Sequence, residues 1–440
     1  MIKINHLSRF HKVGQGLFYS ATIKNIDSDE NIKYIIDCGT SKGATELKME
    51  IEEYLINLNK DSCLDILIIS HFHQDHISGL KQLLEGFVQK NIRIKNFFIP
   101  YYTKMQRNYL YIYWSKKLSK SEGWILDFIL NPVGFLDNFN IVNNLIFIHP
   151  SDLNNTEINN NAVLPLSDDD SVKIVGTNVL GIESENVSHM LTLYHLTDVK
   201  VTILALIEFD FWVKKCNPDL LEEFTSNMDR IISSGSSLQT IASKISKDKR
   251  VYAAYKKLHE DFNDTSLCVL ISNVSEIIKA RCYFLGDNYL GNSQNLSLNW
   301  PSYNSSVSFR GVKLPLFREK LTNRAYLCVR YAYFGYLFTG DINLSANKNG
   351  TKSDTYIDFV NHYQDKLKRV QFLTVPHHGS RHNWDNRLLS DCNYPISVIS
   401  SAQTGKYGHP DYIVVRDIES YGWAWSNEDV SIDILQRMVF

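Results

Sequence analysis

The 440-residue sequence has no Cys-x-x-Cys pair, no apolar run long enough to cross a bilayer and almost no net charge. Each absence removes a class of function. Seven cysteines, at 38, 63, 216, 268, 282, 328 and 392, are odd in number and scattered. They therefore read as free thiols in a reducing compartment, not as a disulfide framework or a cysteine zinc site. The longest apolar stretches, such as VTILALI, fall far below the roughly 20 residues that a spanning helix needs. The opening MIKINHLSRFHKVGQG lacks the apolar centre of a signal peptide, so a cytoplasmic protein is expected. A formal net charge of −2 excludes a global basic field that would draw in nucleic acid or an anionic membrane, although local patches stay open.

What is present is enough for a full core: 44% hydrophobic residues, 12% aromatic and 21% charged, the balance of a globular protein. The first hundred residues alternate. GLFYSATIKNI and NIKYIIDCGT read as strands, and Leu47, Ile51, Tyr54, Leu55 and Leu58 then recur at the helical period. LDILIIS is a short, wholly apolar run, the pattern of a strand covered on both faces. ISGLKQLLEGF returns to helix and IRIKNFFIP to strand, which together spell an α/β layered fold. The middle is polar and helix-prone, broken by SSGSS, and reads as a helical or loop insertion over 211–320 between two halves, 1–210 and 321–440. Asn- and Ser-rich stretches at 153–170 and 291–308 read as long surface loops, and the α/β pattern resumes after 320.

The densest chemistry lies in HFHQDHISGL, which places His71, His73, Asp75 and His76 at the end of the LDILIIS strand. Donors at i, i+2, i+4 and i+5 cannot share one helix face. They can ring a cavity where a strand turns through a loop into a helix, His71 and His73 reaching one cation and Asp75 and His76 another. Imidazole and carboxylate suit zinc, iron and manganese; zinc is favoured by the nitrogen content, one or two ions per chain, with manganese as the alternative.

H-x-H-x-D-H after an apolar strand is the central motif of the metallo-β-lactamase fold, and the chain resembles that family in further motifs and in their order. IIDCG places Asp37 at the first-motif aspartate, which in the family organises the metal loop. YLFTGD places Asp341 at the metal-bridging carboxylate. TVPHHGS, YGHP and VGQG are similar to the branch that holds the nuclease domain of ComEC/Rec2 competence proteins and the phosphorylcholine esterases. Leu17 stands where that branch has an acidic residue after VGQG. The resemblance implies an αββα sandwich carrying a helical insertion, a metal-bound hydroxide as nucleophile at neutral pH, and His409 as the last ligand of the second metal. Its third histidine for the first metal has no clear counterpart; His149, His189, Asn263 and Asp264 are the candidates. His377 and His378, being adjacent, point to opposite sides of extended backbone, so one is expected to face the metals as the catalytic group, alongside Asp75.

Beside these, His6, His11, His195, His259, His362 and His382 read as core or surface histidines. Tyr101, Tyr102, Tyr109, Tyr111, Tyr113 and Trp114, interleaved with Lys and Arg, read first as a helix packed by its aromatic face, with stacking against nucleobases as the alternative. The function implied is a metal-dependent hydrolase acting on a phosphodiester or phosphomonoester, with a nuclease or nucleotide phosphodiesterase first, nucleic acid as a candidate substrate and no membrane partner. The alternatives are a carbon-ester, thioester or amide hydrolase on the same fold, or a metal-stabilised binding partner in a larger complex, for instance a bacterial defence system, with 211–320 as its protein-binding surface.

Overall fold

The computed structural model describes residues 1–115, 117–119, 122–151, 171–179, 191–229, 265–285, 334–404 and 408–440, the isolated positions 249 and 253, and the backbone of short strands at Ala162–Leu164, Val307–Phe309, Val312–Leu314, Phe317–Leu321 and Arg324–Val329. Its architecture is two β-sheets packed face to face with helices on both outer faces. In the first sheet, Lys3–Phe10, Phe18–Asn25 and Asn31–Cys38 run antiparallel. Parallel neighbours then follow: Asn31–Cys38 with Cys63–Ile68, Arg93–Pro100 and Val142–Ile148. In the second, Ile207–Val213, Leu267–Asn273 and Gly335–Phe338 are antiparallel, and Phe372–Thr374, Ile396–Ser400 and Trp423–Ser426 extend the sheet in parallel. The long strand Thr192–Ile203 joins the two, pairing with Val142–Ile148 through its first half and with Ile207–Val213 through its end. The last strand, Ile432–Val439, pairs along the whole of the first, Lys3 opposite Val439 and Phe10 opposite Ile432.

Side-chain alternation makes the layers. Successive residues of a strand point to opposite faces, so Tyr34, Ile36, Ile66, Ile68 and Phe98 meet Phe209, Phe211, Tyr336, Phe338 and Phe372 between the sheets. Their neighbours Ile35, Leu67 and Phe97 pack outward under the helices Ala44–Ile56, Leu80–Lys90 and Lys104–Trp114. On the far side Leu337, Leu373 and Ile399 lie under Asp354–Tyr363 and Tyr412–Ile418. LDILIIS is buried on both faces, as its composition predicts.

The stretch 211–320 is less separate than its polarity suggests. Pro218–Asp229 is a helix, but Leu267–Asn273 is an inner strand of the second sheet, and Lys279–Leu285 pairs with the chain's last strand. LCVLISN is wholly buried, and an inner strand with such a sequence can only sit in the core. The expected insertion is thus interrupted by structural strands; residues 230–248, 250–252 and 254–264, the rest of its helix-prone part, lie outside the described residues. The six described cysteines are unbridged. Among the described residues no helix is long and apolar enough to cross a membrane.

One polar chain runs through the core between the sheets. His6 Nε2 lies 2.7 Å from the Tyr34 hydroxyl and Nδ1 3.2 Å from Gln436 Oε1, while Gln436 donates to Gln371. Burial pushes the His6 imidazole down to about 3, against the raising effect of the hydrogen bond that it donates to Gln436 Oε1. The folded protein therefore holds His6 neutral, whereas the unfolded chain takes up a proton below its ordinary value near 6.5. Stability from this group is full above about pH 6.5 and is lost as pH falls toward 3. Between about pH 7.5 and 5 the loss amounts to about 2 kcal/mol. Denaturant unfolding at the two pH values, compared with His6→Gln, should show the smaller pH dependence in the variant. Equal pH dependence in both would rule out this origin.

Candidate metal centre

Both sheets bring the carboxyl ends of parallel strands to one edge, the place where open α/β sheets form their crevices. Asp37 sits at the C-terminal end of the strand Asn31–Cys38, His71 just beyond Cys63–Ile68, Asp341 just beyond Gly335–Phe338, and His377 just beyond Phe372–Thr374. Segments separated by some 270 residues of sequence thereby meet at one point.

Tight backbone packing sets the histidine loop. The chain leaves the strand through Ser70 and turns into the short helix Gln74–Ile77, with His73 at its N-cap. A Cβ on Gly39 would stand 2.5 Å from the His76 carbonyl carbon, and one on Gly16 would stand 2.6 Å from the Asp75 oxygen. The glycines of VGQG and IIDCG are therefore there to let two loops press against the metal loop. Leu17, the residue that departs from the acidic pattern, is buried and donates its N–H to the Asp75 carbonyl at 3.1 Å.

Hydrogen bonds then fix each ring. Asp37 accepts from Ser70 N and from Ser70 Oγ, both at 2.7 Å, and its Oδ2 lies 2.7 Å from His76 Nδ1. A carboxylate only accepts, so Asp37 takes a proton from His76 Nδ1, and the ring in its neutral form leaves Nε2 free for a metal. His378 Nδ1 lies 2.7 Å from the Ser400 carbonyl, which imposes the same tautomer. Asn383 donates its amide to the Asp341 carbonyl at 2.9 Å, which turns its oxygen toward His377 Nδ1 at 3.0 Å. Ser266 Oγ accepts from Asp341 N at 3.1 Å.

The bare nitrogens converge on Asp341, a carboxylate only 1% exposed. Its two oxygens face two different groups. Oδ2 lies 3.4 Å from His71 Nε2, 3.9 Å from His73 Nδ1 and 3.5 Å from His377 Nε2. Oδ1 lies 3.3 Å from His76 Nε2 and 3.7 Å from His378 Nε2, and His378 Nε2 in turn lies 3.4 Å from Asp75. Donor atoms of His71, Asp75, His76 and Asp341 all fall within 4.8 Å of one another. His71 Nε2, His76 Nε2, His378 Nε2 and Asp341 Oδ1 are buried without a hydrogen bond. Buried polar atoms left so are costly, about 1–3 kcal/mol each, and divalent cations between them would satisfy them. Nitrogen and carboxylate oxygen are the donors that zinc and manganese accept, so the residues present fit a metal.

The charges fit as well. Burial alone would raise the Asp341 carboxyl, but His377, His71 and His73 hold it well below the usual carboxylate range. Asp75 is likewise held down, burial being outweighed by His378 and His76. His71 is pushed down to about 4 by burial, followed by the neighbouring His76. Burial acts the same way on His76 and His378, but the carboxylates beside them win and raise both.

The four motif residues and Asp341 thus lie together at one edge of the sheets. The expectation for His377 and His378 is corrected: both approach Asp341, because neither is extended. They adopt left-handed φ of 48° and 57° inside a short turn, and period-two reasoning does not apply there. Of the two, His378 is buried and His377 has a side chain 27% exposed. His409 lies beside His377, ring centroids 5.8 Å apart, at the outer side of the cluster. His149 pairs with His195, Nε2 to Nδ1 at 3.1 Å, and stacks on Tyr101. His189, Asn263 and Asp264 lie outside the described residues. Ser266 and Asn383, which hold Asp341 in place, were not singled out from the sequence, although the candidates Asn263 and Asp264 lie just before the first of them.

No curated protein matches the chain. Among solved structures it is similar to a long form RNase Z from yeast, at 9% identity over 98% of this chain and 41% of that one with a TM-score of 0.34. It is also similar to the metallo-beta-lactamase fold protein YhfI from Bacillus subtilis, at 13% identity over 45% of this chain and 58% of that one with a TM-score of 0.17. The chain thus spans less than two thirds of either protein. Residues 26–134, which hold Asp37 and the entire His71–His76 loop, match the metallo-beta-lactamase superfamily, and the α/β chain carries a domain of that kind.

Proposed function

We propose that the protein is a metal-dependent hydrolase of phosphodiesters, with nucleic acid as the substrate class. One observation carries the reading: a single buried carboxylate, Asp341, turns its two oxygens to two separate histidine groups. His71, His73 and Asp341 Oδ2 would hold one cation; Asp75, His76, His378 and Asp341 Oδ1 would hold another. His378 takes the place that the sequence suggests for His409. When bound, such cations supply Lewis acidity and a water of lowered pKa beside the substrate.

The chain's own residues do the rest. Asp37 and Ser400 keep the ligand rings in one tautomer, so the donors are organised before any ion arrives. His377 is held by Asn383 on Nδ1 and is open to solvent. It can carry a proton on Nε2 and deliver it to the leaving oxygen, a task that suits imidazole.

The direct test is hydrolysis of bis-p-nitrophenyl phosphate by protein loaded with zinc or manganese. Turnover should appear with metal and disappear with a chelator. Turnover of thioesters or carbon esters in its absence would move the assignment to the other hydrolase class.

A further inference from the structure

The helix Lys104–Trp114 absorbs most of the aromatic-rich segment into the core: Tyr102, Tyr109, Leu110, Ile112 and Trp114 are buried. Tyr113 is different. It is half-exposed, and its ring lies 6.1 Å from the His73 ring at a tilt of 30°, so one side chain separates it from the metal donors. Trp114 backs both rings edge-on, 4.9 Å from Tyr113 and 5.5 Å from His73. Its Nε1 is buried without a hydrogen-bond partner. Lys117, on the next turn and exposed, sets its ammonium 3.8 Å from the Tyr113 ring centroid and donates to the Tyr113 hydroxyl. The chain just beyond this helix is tied to the metal loop, because Gln74, between His73 and Asp75, donates to Glu122.

We propose that Tyr113 and Lys117 form a subsite beside His73 that takes the nucleoside next to the scissile phosphate of a single-stranded nucleic acid, with the base on the Tyr113 ring and the neighbouring phosphate toward Lys117. The inference rests on the phosphodiester reading above and adds to it the single-stranded form of the substrate and the residues that hold it. An aromatic ring beside a fixed cation is the pairing that single strands use, since every base has a face to stack and every linkage a charge. A duplex keeps its bases stacked on one another and offers nothing to such a ring. With a chain net charge of −2, attraction for a polyanion has to come from local cations. Lys117 is one, placed where the strand leaves the centre.

The test is equilibrium binding of a short phosphorothioate oligothymidylate, which resists cleavage, to the metal-loaded protein, followed by fluorescence anisotropy at several salt concentrations. Tyr113→Leu should weaken binding roughly 10- to 100-fold. An abasic strand of equal length should bind both proteins alike. Lys117→Gln should flatten the slope of log affinity against log salt by about 0.7, one contact's worth on a single strand. No binding by the natural protein, equal binding by Tyr113→Leu, or an equal loss on the abasic strand would each overturn the subsite. The two readings fail separately. A protein that hydrolyses the model diester but binds no strand lacks only the subsite; one that binds the strand base-dependently but hydrolyses no diester lacks only the phosphodiester chemistry.

Discussion

Asp341→Asn should leave a folded protein whose diester hydrolysis has fallen on the order of a thousand-fold or more and whose content of bound transition metal has dropped. The substitution keeps size and shape. It keeps one oxygen, so only one histidine group retains a neighbouring oxygen able to ligate a cation. The other group meets an amide nitrogen, which donates protons and has no lone pair to offer a metal. The anionic charge that offsets two cations is gone as well. Polarisation by a bound cation contributes several kcal/mol to the transition state, and each 1.4 kcal/mol is tenfold in rate, which sets the magnitude. Folding should survive, because the backbone at 341 is held by Ser266 and Asn383, not by the carboxylate. Elemental analysis, the bis-p-nitrophenyl phosphate assay and a thermal midpoint on one preparation measure all three. A variant with full metal and full activity would remove Asp341 from the centre and the two-group reading with it.

Most of the centre was legible because its signals are local. An apolar strand followed by four donors in six residues supplies donors to both groups, and a Gly-Asp after a second strand supplies the carboxylate between them. The backbone near these residues does what the sequence pattern predicts. Legibility ended where a side chain's direction depends on a turn. His377 and His378 occupy left-handed backbone, which nothing in TVPHHGS marks, since adjacent residues are expected to diverge. The insertion boundary was hidden for another reason. LCVLISN is a clear strand on its own, but polar, helix-prone sequence surrounds it on the N-terminal side, so its partners 60 residues on either side could not be assigned from composition. Asn383 was out of reach too: its role is to aim one amide at Asp341 and the other end at His377, a relation between loops that no spacing encodes.

His11→Ala should cost about 3 kcal/mol of folding free energy: burial lowers the His11 imidazole and keeps it neutral, so the substitution strips a hydrogen-bond donor from a buried carboxylate and leaves a cavity. His11 and Glu50 have side chains 2% exposed, and Nδ1 lies 2.7 Å from Glu50 Oε2. On its other side Nε2 lies 2.8 Å from Ser20 Oγ, and the ring stacks on Phe18 at 3.8 Å. The order Ser20, His11, Glu50 has the distances of a nucleophilic relay, but all three side chains are buried, so the assembly serves as a clamp. It pins the helix Ala44–Ile56 to the strands on either side of the loop that carries Gly14 and Gly16, and hence to the loops pressed against Asp75. Burial would raise the Glu50 carboxyl, but the hydrogen bond from His11, with Arg9 and Lys12 behind it, holds it below its ordinary value. Without the imidazole, that carboxylate keeps Lys12 at 3.7 Å and must otherwise be protonated in the core. The cost is therefore chiefly that of the abandoned charge, and it is separable from lost packing. Glu50→Gln placed on top of His11→Ala should recover part of the stability, so the double variant costs less than the sum of the two single ones. Denaturant unfolding of the three variants decides it: strict additivity would show that the imidazole and the carboxylate are not coupled and that Phe18 stacking alone accounts for the loss.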